Sequence, residues 1–203
     1  MKKEKKLDVV FILDKSGSMS GSEEHTISSF NEYLEKNKKN KYTTLVSTVL
    51  FSDNYEYLYK RENIRDIKKL TNDDYYVGGC TALYDALGST INYFKKANTD
   101  KVLFIIITDG YENASSEYNK DKITKLIKNS EFEFIYVGAD IDSYAAGSSI
   151  GIRKENIANF KKDKKGTNLL FKSVGRFSEA MMCDESTANW SQELDNYINE
   201  NKD

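Results

Sequence analysis

Asp14, Ser16 and Ser18 stand at alternate positions directly after an apolar run, Val9–Leu13, in the stretch LDVVFILDKSGSMS that covers Leu7–Ser20. A buried strand that ends in a carboxylate and two hydroxyls, with Gly17 between the hydroxyls, delivers hard oxygen ligands into a turn. Oxygen donors without His or Cys suit Mg²⁺, Mn²⁺ or Ca²⁺ rather than zinc or copper.

Two further stretches offer matching chemistry. The apolar segment VLFIIIT runs into Thr108-Asp109-Gly110, and Gly78-Gly79-Cys80-Thr81 precedes a helical segment, Ala82–Lys96. Thr81 is expected to cap that helix with its hydroxyl free for a crevice, while the glycines let backbone approach closely. Asp14, Ser16, Ser18, Thr81 and Asp109 thus supply five oxygen side chains from three loops. Mg²⁺ takes six oxygens and usually keeps waters, so this set leaves room for an oxygen from outside.

Such convergence needs a scaffold. Leu7–Leu13, Thr44–Phe51, Val102–Thr108 and Phe132–Gly138 have strand character, and VLFIIIT is apolar at nearly every position, as a strand buried on both faces requires. Helical spacing appears over Ile27–Lys38, Ala82–Lys96 and Ile123–Lys128, which predicts βαβ units and a largely parallel sheet. Ser52-Asp53-Asn54 is a turn too short for a crossover, so the following YEYLYK forms an antiparallel edge strand. A short strand near Asn156–Phe160 and helices near Thr167–Met182 and Ser191–Asn199 complete one α/β domain over residues 1–203. The expected fold is a doubly wound, mostly parallel sheet with one antiparallel edge strand and helices on both faces. Ligands of such sheets bind beyond the strands' carboxyl ends where strand order reverses. Asp14 and Asp109 face each other there if their strands are neighbours.

The ordered pattern D-x-S-x-S, then G-G-x-T-x-L-x-D-A-L, then apolar-T-D-G resembles the von Willebrand factor A domain family, and the similarity extends from about Leu7 to Phe160. YENASSEY after Asp109 is similar to bacterial members, so the resemblance is to a stand-alone bacterial type. It implies a metal-ion-dependent adhesion site in which Ser16, Ser18 and Thr81 are direct or near-direct ligands, and Asp14 and Asp109 bind directly or through water. The implied metal is Mg²⁺ or Mn²⁺, with Ca²⁺ fitting less well. A metal held mainly by neutral hydroxyls keeps strong positive charge, so the implied role is to bind a Glu or Asp presented by a protein partner. In some members a C-terminal helix shifts when the site is filled.

Composition narrows the alternatives. Charged residues make up 31% of the 203, with a formal net charge of -2, which argues against nucleic-acid binding by phosphate neutralisation. The lysine clusters Lys2–Lys6 and Lys161–Lys165 read as solvated surface. Apolar runs fall far short of the ~20 residues a membrane-spanning helix needs, and the basic start leads into a run too short and too interrupted by Asp8 for a signal peptide. Cys80 and Cys183 make no disulfide framework, so the expectation is a reduced, cytoplasmic monomer that is not an enzyme. Two other functions compete. One is a Mg²⁺-dependent phosphohydrolase or phosphotransferase with Asp14 as phosphoryl acceptor, which lacks a second acid because Ser16 stands two residues on. The other is a regulatory subunit of an ATPase or metal-insertion complex. No dinucleotide fingerprint or P-loop is present, and His25 is the sole histidine. His25 is expected near a helix start and Asp8 at the far end of its strand in a structural role. Asp85 and Asp140 are read as solvated, and Cys80 as a small packed residue. Asn113 and Glu112 are candidates to orient the loop after Asp109.

Overall fold

The computed structural model describes residues 5–201, so Lys2 and Lys3 of the first lysine cluster lie outside the described residues. The strands are β1 (Lys6–Asp14), β2 (Thr43–Phe51), β3 (Tyr55–Asn63), β4 (Lys101–Thr108), β5 (Glu133–Gly138) and β6 (Ile157–Asn159). They form a six-stranded sheet of order β3-β2-β1-β4-β5-β6, parallel throughout except for β3, which pairs antiparallel with β2. The helices are α1 (Glu23–Asn37), α2 (Leu83–Lys96), α3 (Lys120–Lys128), α4 (Ser143–Ser149), α5 (Lys164–Cys183) and α6 (Gln192–Glu200).

Alternation along the strands builds three layers. Leu7, Val9, Phe11 and Leu13 of β1 pack with Phe30 and Tyr33 of α1 and with Phe171 and Val174 of α5 on one face. Val10 and Ile12 of β1 and Phe104 and Ile106 of β4 pack with Leu87, Ile91 and Phe94 of α2 and with Ile123 of α3 on the other. Each side chain points to the face opposite its neighbour's, so a continuous apolar run serves two cores. Fully burying a residue of this size contributes ~1.5–3 kcal/mol, which makes β1 and β4 the fixed centre of the sheet.

β1 lies between β2 and β4, and both neighbours run parallel to it. The crossover through α1 leads away on one side and the crossover from β3 through α2 returns on the other. The strand order therefore reverses beside β1, and Asp14 emerges at that point. The expected fold class holds, including the antiparallel edge strand.

One local expectation does not, and one helix was not expected. Thr81 is not a helix cap: Ala82 holds that position, without a side-chain cap bond. The helix α4 has no counterpart in the sequence reading, because SYAAGSS carries no apolar stripe. Asp142 caps it by accepting from Ala145 N at 2.9 Å, and Gly147 allows close packing on β6, where a Cβ would stand 2.9 Å from Ile157. Among the described residues no helix is long and apolar enough to cross a membrane.

Candidate metal centre

Asp14 ends β1 with its side chain wholly buried. Its Oδ1 accepts from Ser16 N at 2.7 Å and its Oδ2 from Thr108 Oγ1, at the end of β4, at 2.6 Å. The turn that follows carries Ser16 Oγ 3.1 Å from Ser18 Oγ, and Ser18 Oγ donates to Asp109 Oδ1 at 2.5 Å. Adjacent parallel strands in register thus bring two carboxylates and two hydroxyls into one network. Tyr75 OH fixes the strand end by donating to the Asp14 backbone carbonyl at 2.5 Å. Burial pushes the Asp14 carboxyl above the usual carboxylate range. The hydrogen bonds from Thr108 and Ser16 oppose this, and the like charge of Asp109 adds to it.

Thr81 reaches the same place by backbone pairing. Its N–H donates to Asn113 Oδ1 at 2.9 Å and its carbonyl accepts from Asn113 N at 3.1 Å. Gly110 lies beneath it: a Cβ there would stand 3.0 Å from Thr81 Oγ1 and 3.4 Å from Ser18 Oγ. The glycine after Asp109 is therefore what allows these hydroxyls to approach. Gly79, at φ +80°, docks the glycine loop by accepting from Gly17 N at 3.0 Å, and a Cβ there would collide with the Asp53 carboxylate. Asp14, Ser16, Ser18, Thr81 and Asp109 are all gathered at one end of β1 and β4.

A hydrogen-bonded frame supports the loop after Asp109. Glu112 Oε1 accepts from Ala114 N and Ser115 N at 3.0 and 2.7 Å, and its Oε2 accepts from Tyr84 N at 2.8 Å. Asp85, expected in solvent, is instead buried and accepts from Ser116 N, Glu117 N and Tyr118 N at 2.8–3.0 Å. A carboxylate that takes three backbone donors organises a loop which has no secondary structure of its own. Its place in the first turn of α2 was visible in the sequence, but its partners 31–33 residues away were not.

The largest correction concerns Lys162. It is not solvated surface: its Nζ donates to Asp109 Oδ2 at 2.8 Å and to Ser18 O at 3.1 Å, and pairs with Asp140 Oδ2 at 3.0 Å. Burial works against the ammonium, but the hydrogen bonds to Asp109 and Asp140 outweigh it, so the group titrates above an ordinary lysine. Asp140 is thereby an ion-pair partner and not merely a solvated loop residue. The sequence held one clue: Lys162 follows the last parallel strand at the sheet edge where ligands collect. Lys15, by contrast, turns away to Glu56 at 2.5 Å and lies over the Tyr76 ring. Cys80, expected to be packed, is exposed, with its N–H held by Asp53 at 2.9 Å. His25 lines a groove between α1 and α5 that contains none of the five oxygen residues.

The donor set fits a hard cation. Among the described residues no three His, Cys, Asp or Glu side chains are placed to hold a metal ion by themselves, so any ion held here relies on hydroxyls beside two carboxylates. That is an all-oxygen environment, short of negative ligands, as a partly hydrated Mg²⁺ accepts.

A model of the von Willebrand factor type A domain matches residues 8–171. No curated protein matches the chain by sequence. Among solved structures, proximal thread matrix protein 1 from the mussel byssus, with a zinc-occupied MIDAS motif, is 15% identical at a TM-score of 0.64, over 86% of this chain and 46% of that one. The pilus adhesin SpaC from Lactobacillus rhamnosus GG, in an open conformation, is 14% identical at 0.68, over 90% and 31%. A von Willebrand factor type A protein from Catenulispora acidiphila is 14% identical at 0.60, over 86% and 43%. This chain spans less than half the length of each, and identities so low speak only of the fold. Sheet order, the ordered D-x-S-x-S, Thr and T-D-G segments and the matched residues agree: the chain belongs to the von Willebrand factor type A domain family.

Proposed function

We propose that this chain is a divalent-metal-dependent protein-binding module. Ser16, Ser18 and Thr81 would hold Mg²⁺ (or Mn²⁺) through their hydroxyls, and Asp14 and Asp109 directly or through water. The observation that carries this reading is the hydroxyl–carboxylate network from Asp14 through Ser16 and Ser18 to Asp109, with Thr81 set against it across Gly110. The ion would supply a Lewis-acidic position for an oxygen from outside. The chain's own residues orient the ligand atoms and, through Glu112 and Asp85, stiffen the loop that bears Asp109. The partner is a protein that presents an exposed Glu or Asp, and the chain acts as a monomer.

Intrinsic catalysis is not part of this reading. The phosphoryl-acceptor alternative still lacks a second acid to protonate the leaving group, since Ser16 stands two residues after Asp14. Phosphatase panels with Mg²⁺ or Mn²⁺ should stay at background. Turnover that Asp14→Asn abolishes would promote the phosphohydrolase instead. Calorimetry with Mg²⁺, Mn²⁺ and Zn²⁺ in turn tests the site; zinc is included because the mussel protein carries it. One ion per chain is expected, lost in Asp14→Ala. Unchanged binding in that variant removes the assignment, and a partner that binds equally well in EDTA removes the mechanism.

A further inference from the structure

Lys162 occupies one carboxylate oxygen of the candidate metal centre. Its ammonium is surrounded by Asp109 Oδ2, Asp140 Oδ2 and the Ser18 carbonyl, and the side chain keeps only 25% of its exposure. The other Asp109 oxygen is taken by Ser18 Oγ. The neighbours of Lys162 are anchored elsewhere. Lys161 reaches the Asn201 carbonyl, while Asp163 caps α5 at Gly166 N (2.7 Å) and accepts from Tyr197 OH of α6 (2.9 Å). Phe160 N on the Gly138 carbonyl at 2.9 Å holds the backbone before Lys162 and the Asp163 cap holds it after, which leaves the flexible stem free to swing.

Charge balance points the same way. Asp14, Asp109 and Asp140 are three carboxylates that share one ammonium, so negative groups outnumber the positive one even with Lys162 in place. A divalent cation and the ammonium can share these carboxylates only if Lys162 leaves Asp109 yet stays nearby. It can, because Asp140 is 69% exposed and offers a resting place outside the cluster, whereas Asp109 is buried. We propose that Lys162 is a tethered competitor of the divalent ion: it holds Asp109 until the ion displaces it towards Asp140, and so sets the metal affinity of the site. This rests on the metal-binding reading above.

The test is calorimetry with Mn²⁺ on the full chain, together with melting curves in EDTA and in saturating Mn²⁺. Lys162→Met keeps the stem and loses the charge; it should bind Mn²⁺ about tenfold more tightly, the effect of one nearby unit charge after allowance for solvent. Lys162→Arg should stay close to the parent. Asp140→Asn, which Asn tolerates at the local φ of 56°, should weaken binding several-fold by removing the resting place, and less so once Lys162 is Met. Lys162→Met should melt lower in EDTA, because a buried carboxylate loses its cation, and the deficit should vanish in Mn²⁺. A purely structural lysine would lower melting equally in both. If the parent binds Mn²⁺ and Lys162→Met binds no more tightly, or its melting deficit persists in Mn²⁺, the competitor role is refuted alone. If neither parent nor variant binds any divalent ion, the metal reading fails and takes this inference with it. Should Lys162→Met not fold, Asp140→Asn with unchanged affinity refutes the proposal by itself.

Discussion

β1 carries a buried aspartate at each end, and the two have opposite fates. Asp8, at the amino end, meets the Arg61 guanidinium through both oxygens, at 2.8 and 3.1 Å. Arg61 itself is held in a bulge of β3 at φ 54°, with its N–H on Ser47 Oγ and its Nη2 on the Asn98 carbonyl. Asp14, at the carboxyl end, is met only by neutral donors, a backbone N–H and the Thr108 hydroxyl. Beside it lies a second carboxylate, Asp109, whose cation is shared with Asp140. Same residue type, same strand and similar burial give a balanced ion pair at one end and a surplus of negative charge at the other. A balanced buried charge is architecture; an unbalanced one invites a cation from outside.

The contrast is sharpest in stability. Asp8→Asn should cost about 2–3 kcal/mol in urea unfolding, towards the low end for a broken buried pair because Arg61 retains some solvent. The loss should be equal with and without Mg²⁺. Asp14→Asn should cost less than about 1 kcal/mol in EDTA, since Thr108 Oγ1 can redirect its proton to the Gly110 carbonyl already 3.1 Å away. The same variant should lose the whole Mg²⁺-induced rise in melting temperature, because an ion bound only to the folded state stabilises by mass action. If Asp14→Asn were as damaging as Asp8→Asn in EDTA, the two ends would not differ in kind.

A smaller effect probes how much the unbalanced end depends on hydroxyls. Thr81→Ala should weaken Mg²⁺ by about tenfold in calorimetry while leaving melting in EDTA nearly unchanged, because its backbone pairing with Asn113 survives. A large loss of stability in EDTA would make Thr81 structural.

The smallest effect lies at an exposed carboxylate near the amino end of β1. Asp184 holds Lys5 and Lys101 at 2.9 and 2.7 Å, and those hydrogen bonds, Lys101 first, pull its carboxyl down to about 2. A lowered pKa stabilises the fold above the ordinary value of 3.8 and loses that contribution as pH falls through about 2. Melting curves of Asp184→Asn and the parent should therefore differ slightly near neutrality and converge between those two pH values. A gap that persists at the acid end would assign the effect to something other than charge.

The sequence by itself determined whatever depends on near neighbours in the chain. The apolar runs of β1 and β4 dictated central parallel strands, and the short turn at Ser52–Asn54 dictated the antiparallel edge. The order D-x-S-x-S, Thr, T-D-G pointed to the five oxygen residues, because strand ends bring fixed offsets to fixed places. Only the tertiary structure decided what depends on partners far along the chain. Lys162 is 53 residues from Asp109, Asp85 organises a loop more than 30 residues away, and α4 is held by β6 without an apolar stripe of its own. A charged side chain looks the same in sequence whether it faces water or a buried opposite charge. Which of these it meets is set by how loops from separate strands pack at the sheet edge, and no local pattern encodes that geometry.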